Sequence, residues 1–177
     1  MAILRIRTFG DPVLRQRARE VEGITDLHKK LITDMFDTMR DAPGVGLAAP
    51  QVGVMERIFV WETEDQSGAF INPNIITRSP TAEDDEEGCL SLPGIVYEVR
   101  RSSDVTIEGL DADGNSIKME ASGLLARIFQ HEVDHLDGVL FIDHLSEEMR
   151  REALTTLRNQ ALGLPAKTTE VPAEEVL

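Results

Sequence analysis

The sequence predicts an α+β fold: short antiparallel strands packed around a central helix, with packing helices near both ends. Three observations predict it. Residues 124–137 hold no Gly or Pro and carry a mostly apolar helical pattern. Short alternating segments, separated by turn residues, fill the middle of the chain. A stripe of helical period near the front and a capped segment near the back mark the flanking helices.

The bulk numbers bound the rest. A chain of 177 residues with 41% hydrophobic content suits one folded domain with a sizeable core. Formal net charge is -14. That argues against DNA and anionic membranes as partners, because phosphate would repel the chain. No apolar run approaches the roughly 20 residues needed to span a bilayer. The N-terminus alternates and lacks the apolar core of a signal peptide. One cysteine permits no internal disulfide. A cytoplasmic protein is the expectation.

Taken in order, residues 3–7 read as a short strand. Phe9-Gly10-Asp11-Pro12-Val13-Leu14-Arg15 reads as a turn. Thr25 to Arg40 reads as a helix whose stripe is Leu27, Leu31, Met35 and Met39, widened by Ile24, Ile32 and Phe36. Pro43-Gly44 stops it. Gly44-Val45-Gly46-Leu47-Ala48-Ala49-Pro50-Gln51 lacks a phosphate loop's Lys-Ser/Thr. Its small residues let another backbone approach, either protein or ligand.

Arg57 to Trp61 reads as a strand, and Ala69 to Ile71 as a weaker one. Asn72-Pro73-Asn74 reads as a turn before Ile75-Ile76-Thr77 resumes. The acidic run Glu83-Asp84-Asp85-Glu86-Glu87 reads as a solvated loop for most of its members. Strands follow at Val96–Arg101, Asp104–Leu110 and Ser116–Ala121. In the hairpin of the last two, Val105, Ile107, Ile117 and Met119 point inward by alternation. Ser122 is placed to cap the central helix and Gly138 to end it. Ser146 caps a last helix running to about Ala161. Residues 1–163 thus form a single domain. Residues 164–177 are an acidic tail with little to bury, expected to be mobile.

The central helix contains Gln130-His131-Glu132-Val133-Asp134-His135-Leu136. His131 and His135 are four apart and share a helical face, as two nitrogen ligands of one divalent metal require. Glu132 beside them suits a general base. A solvated surface pair is the bland alternative, but this helix is too apolar to leave three such groups without partners. Two ligands leave a catalytic metal one short. Cys89, the only thiol, is either a small buried hydrophobe or that third ligand. Asp143 and His144 are downstream alternatives if the chain is a metallopeptidase. A structural Cys-His-His site in a binding protein is a third reading, although no second cysteine exists to close it.

Three segments together resemble a known family. Gly44-Val45-Gly46-Leu47-Ala48-Ala49-Pro50-Gln51, Glu87-Gly88-Cys89-Leu90-Ser91 and Gln130-His131-Glu132-Val133-Asp134-His135-Leu136 look like the three signature motifs of bacterial peptide deformylases, in matching order and spacing. Phe9 to Arg15 resembles the family too, and the likeness covers roughly residues 1–163. It implies a metal-dependent hydrolase that removes the N-formyl group from the N-terminal methionine of newly made proteins, releasing formate. It implies metal ligands at Cys89, His131 and His135 and an acid/base at Glu132. It implies that Gln51 and the Leu90 N–H contact the formyl oxygen. One divalent metal is implied, ferrous iron first, with zinc, nickel or cobalt as alternatives.

Gly46 is expected to let substrate approach, with Gly44 beside it. Val45, Leu124 and Ile128 are expected to wall the methionine pocket. Arg127, on the same stripe, is expected to pack its stem and send its charge to solvent. Gly94 to Tyr97 offers a strand edge for the peptide. Some family members dock on the ribosome through a basic C-terminal helix. Here Glu147, Glu148 and Glu152 offset Arg150, Arg151 and Arg158, which disfavours that contact.

Overall fold

The computed structural model describes residues 2–164. The expectation of a mobile tail falls on residues 165–177, outside the described residues.

Alternation along the strands sets up two cores on the two faces of one sheet. The strands are β1 (Gly46–Ala48), β2 (Ile58–Glu62), β3 (Ser67–Arg78), β6 (Asp104–Leu110) and β7 (Ser116–Ser122). They pair antiparallel in the order β1-β2-β3-β6-β7. Ile58, Val60 and Ile71 face one way, onto Ile32, Met35 and Met39 of α1 (Asp26–Asp41). Phe59, Trp61, Phe70, Val105 and Ile107 face the other way, onto α2 (Gly123–Leu136). Phe129 of α2 anchors that side, its ring centroid 5.3 Å from Trp61 and 5.4 Å from Phe70. Aromatic edges at this spacing stabilise by about 1 kcal/mol beyond burial.

A separate two-stranded sheet, β4 (Ala82–Glu87) with β5 (Tyr97–Ser102), carries the chain to Cys89. A third apolar cluster joins Cys89, Leu92 and Val99 to Leu140, Phe141 and Ile142 and to Leu157 of α3 (Glu147–Ala161). Ser146 caps α3, its hydroxyl accepting from the Met149 N–H at 3.3 Å.

Several elements differ from expectation. Residues 3–7 form no strand. Their hydrogen bonds go to helical segments: Leu4 N–H to Thr38 Oγ1 at 2.9 Å, and Arg7 N–H to the carbonyl of Gln51, in the 3₁₀ turn Ala49–Val52, at 2.7 Å. Leu27 is 78% exposed, so the buried stripe of α1 begins one turn later. Asn72-Pro73-Asn74 is a bulge inside β3, not a turn. Asn72 takes φ 52°, and its amide clasps both backbone groups of Val21 at 2.8 and 2.9 Å, which stabilises a conformation few residues accept. The acidic run is a strand, with Asp84 opposite Arg100 and the carboxylates of Glu83 to Glu86 exposed. Ser122 holds the cap position of α2, but its hydroxyl donates to Asp104 Oδ1 at 2.7 Å. Gly138 does end the helix, at φ 75°.

Candidate metal centre

α2 packs against the sheet, yet its middle turn carries polar groups. His131 and His135 project together, as i and i+4 on one helix must. Their Nε2 atoms are 3.2 Å apart. Cys89, delivered by the turn after β4, brings Sγ to 3.2 Å from His135 Nε2. The three ligand atoms lie within 4.8 Å of one another, and all three residues are buried. Bonds of about 2.0–2.3 Å in a tetrahedral site put neighbouring ligand atoms about 3.3–3.6 Å apart. The donor set therefore fits a thiophilic divalent metal. No other Cys, His, Asp or Glu joins this group among the described residues. Asp143 instead pairs with Arg15 and Arg150, and His144 with Asp134 at 2.7 Å.

The surroundings prepare the ligands. Glu87, fully buried, sets Oε2 3.0 Å from His131 Nδ1. A carboxylate there keeps the proton on Nδ1 and leaves Nε2 free to ligate. Burial opposes the charge of Glu87. Hydrogen bonds from His131 and Arg101 outweigh that and hold the group well below the usual carboxylate range. Burial, then the neighbouring His131, depresses His135, so its ring is neutral, the ligating form. Burial pushes the Cys89 thiol up to about 12, against hydrogen bonds from the Ser91 and Leu92 backbone. A metal is what would draw off that proton.

Glu132 sits beside the cluster, 0% exposed, and neither carboxyl oxygen has a hydrogen-bond partner among the described residues. Burial, then the charges of Glu87 and Asp134, raises its carboxyl well above the ordinary range. Such a group holds a proton readily and gives it up in a reaction. The glycine of β1 explains the room: a Cβ on Gly46 would stand 2.9 Å from Glu132 Cδ and collide with Oε1. Gly46 thus accommodates the acid itself, where an approach route for substrate was expected.

Gln51 is fully buried; its Oε1 accepts from the Ala48 N–H at 2.7 Å. That bond turns Nε2 toward Ser91 Oγ at 3.2 Å, with Cys89 Sγ at 3.7 Å. Leu90, half-buried, directly follows the thiol. Of the expected pocket wall, Ile128 and Val45 share one apolar cluster. Leu124 is 43% exposed and outside it; Leu125 packs there instead. Gly44 closes α1, its N–H donating to the Met39 carbonyl at 2.9 Å.

Sequence reasoning missed Arg101 and the parts played by Glu87 and Arg127. Arg127 does not reach solvent: it is 4% exposed and donates to Glu87 Oε1 at 2.8 Å. The signals were present, since Glu87 lies two residues before Cys89 and Arg127 lies one helical turn before His131.

Known proteins resemble this chain in sequence and fold. The family model described as polypeptide deformylase matches residues 3–151. Peptide deformylase from Acidothermus cellulolyticus is 48% identical over 161 residues, 89% of this chain and 87% of that protein. Peptide deformylase 1 from Clostridium perfringens is 50% identical over 146 residues, 81% of this chain and 99% of that one. Among solved structures, peptide deformylase from Thermotoga maritima superposes with a TM-score of 0.81 at 46% identity, covering 82% of this chain and 99% of that one. The enzyme from Ehrlichia chaffeensis in complex with actinonin superposes at 0.87 and 37% identity, covering 90% and 98%.

Proposed function

Since the chain belongs to the polypeptide deformylase family, we propose that it hydrolyses the N-formyl group from the N-terminal methionine of newly made polypeptides, releasing formate. The observation that carries the reading is the buried Cys89, His131 and His135 triad with the Glu132 carboxyl beside it, unpartnered among the described residues. In this reading the triad holds one divalent metal, ferrous iron first and zinc, nickel or cobalt as alternatives. When bound, such a metal lowers the pKa of a coordinated water and polarises a carbonyl.

The chain's own residues do the rest. Glu132 takes a proton from the attacking water onto its carboxylate. The water oxygen bonds to the formyl carbon, and negative charge grows on the formyl oxygen. The Gln51 Nε2 amide and the Leu90 N–H donate to that oxygen, each contributing about 3 kcal/mol by analogy with other oxyanion sites. Glu132 then passes its proton to the leaving nitrogen as the C–N bond breaks. Val45 and Ile128, with Leu124 at the exposed end, wall the methionine side chain; Gly44 and Gly46 shape the loop beside it. Residues 1–163 act as one catalytic domain.

A substrate class of formylated nascent chains supports a cytoplasmic setting. The balanced charges of α3 favour no docking through that helix. Among the described residues no helix is long and apolar enough to cross a membrane. The test is formate release from formyl-Met-Ala-Ser by protein prepared without oxygen and loaded separately with ferrous iron, nickel and zinc. Metal-dependent release supports the assignment. No release from folded, loaded protein overturns the substrate.

A further inference from the structure

We propose that Arg127 is a positioning residue for the metal centre: acting through Glu87, it aims the ring of His131 and pins the β4–β5 hairpin against α2. The proposal rests on reading Cys89, His131 and His135 as the ligands.

Arg127 and His131 project from the same face of α2, and both reach one carboxylate. Glu87 Oε1 accepts from Arg127 Nη1 and from Arg101 Nε, each at 2.8 Å. Its Oε2 accepts from Arg101 Nη2 at 3.0 Å and faces His131 Nδ1. Glu87 is also the last residue of β4, just ahead of Cys89. One carboxylate therefore ties the strand leading to the thiol to the helix bearing both imidazoles.

Arg127 fastens that tie at three points. Its Nη1 also donates to the Val99 carbonyl on β5 at 2.8 Å, and Nη2 donates to the Glu83 carbonyl on β4 at 3.0 Å. Packing alone does not require a charge here. Desolvating a guanidinium is unfavourable, and an apolar side chain of similar volume would fill the space without that penalty. The planar guanidinium meets three acceptors in fixed directions, which a lysine ammonium on a similar stem does not. Arg101 does not duplicate this grip: its Nη1 turns to Asp134 at 2.6 Å and approaches His144 Nε2 at 3.2 Å, and the bonds to the Val99 and Glu83 carbonyls belong to Arg127.

The test uses the full chain loaded with cobalt(II), whose visible absorption reports ligand geometry without any substrate. Cobalt release to a chelator and the absorption envelope are compared in wild type, Arg127→Met and Arg127→Lys. Arg127→Met is expected to release metal about 10- to 100-fold faster, with an altered envelope. Arg127→Lys is expected to fall between. With formyl-Met-Ala-Ser, kcat falls by a larger factor than KM changes. A folded Arg127→Met with wild-type release and absorption overturns the proposal. Should that variant not fold, Arg127→Lys matching wild type in both readouts overturns it. Wild type that binds no cobalt overturns the ligand reading instead.

Discussion

Gly46 and Glu132 occupy the space of a single side chain: a Cβ on the glycine would stand 2.9 Å from Cδ of the glutamate. Any larger residue at position 46 displaces the buried carboxyl. Gly46→Ala should therefore keep its metal and lose about 100-fold in kcat, the scale on which a small misplacement of a reacting group acts. Metal content and steady-state formate release on one preparation check it. A variant with wild-type kcat would separate the glycine from the acid.

Glu132→Gln retains shape and removes proton transfer. The expected loss in kcat is about 10²- to 10⁴-fold, with one metal per chain retained. Metal analysis alongside the formate assay distinguishes this from simple metal loss. Substantial turnover in the amide variant would remove Glu132 from the mechanism.

Glu87→Gln leaves two buried guanidiniums with less negative charge to meet. Breaking a buried ion pair on one side destabilises by about 3–5 kcal/mol. Urea unfolding should show a loss of that order, and metal affinity should fall about 10- to 100-fold as His131 loses its carboxylate partner. Unchanged affinity in a folded variant would confine Glu87 to a structural role.

Asp143 links the first segment of the chain to α3 by pairing with Arg15 and Arg150. Burial opposes its charge, but the Arg15 hydrogen bond, the Leu140 N–H and Arg150 together lower its pKa. The folded value thus lies below the unfolded one. Its stabilisation is present above the unfolded pKa and is lost as pH falls through the folded one. Asp143→Asn should be about 1 kcal/mol less stable than wild type near pH 7, and the gap should close in acid, as pH falls through the lowered folded value. Urea unfolding near neutrality and in acid tests this; a gap that persists in acid contradicts it.

The cluster of Cys89, His131 and His135 was legible because its chemistry leaves local marks. The histidine pair has helical spacing, Cys89 is the only thiol, and three motifs keep their order. The hairpin of β6 and β7 was legible because alternation is a local pattern. What was not legible depends on distant partners. Glu87 looks like the end of a solvated acidic run, and only the approach of Arg101, Arg127 and His131 makes it a buried anion. Asn72-Pro73 looks like a turn until Val21 clasps the asparagine side chain. Residues 3–7 alternate like a strand, but the neighbours they meet are Thr38 and Gln51, which offer no ladder. Leu27 fits the helical period, yet α1 reaches the sheet only from its second turn.

The segment from Phe9 to Ala18 also depends on partners far along the chain. The Phe9 N–H donates to the Ser91 carbonyl, the Ala18 N–H donates to the Leu136 carbonyl, and the backbone at Arg15 lies close over Gly138. All of these partners are synthesised much later than the residues they hold. Residues 9–18 therefore cannot finish docking until α2 and its terminating glycine have been made. Until then Leu14 lacks the Leu140, Phe141 and Ile142 side of its core, and the Ala18 N–H lacks its acceptor.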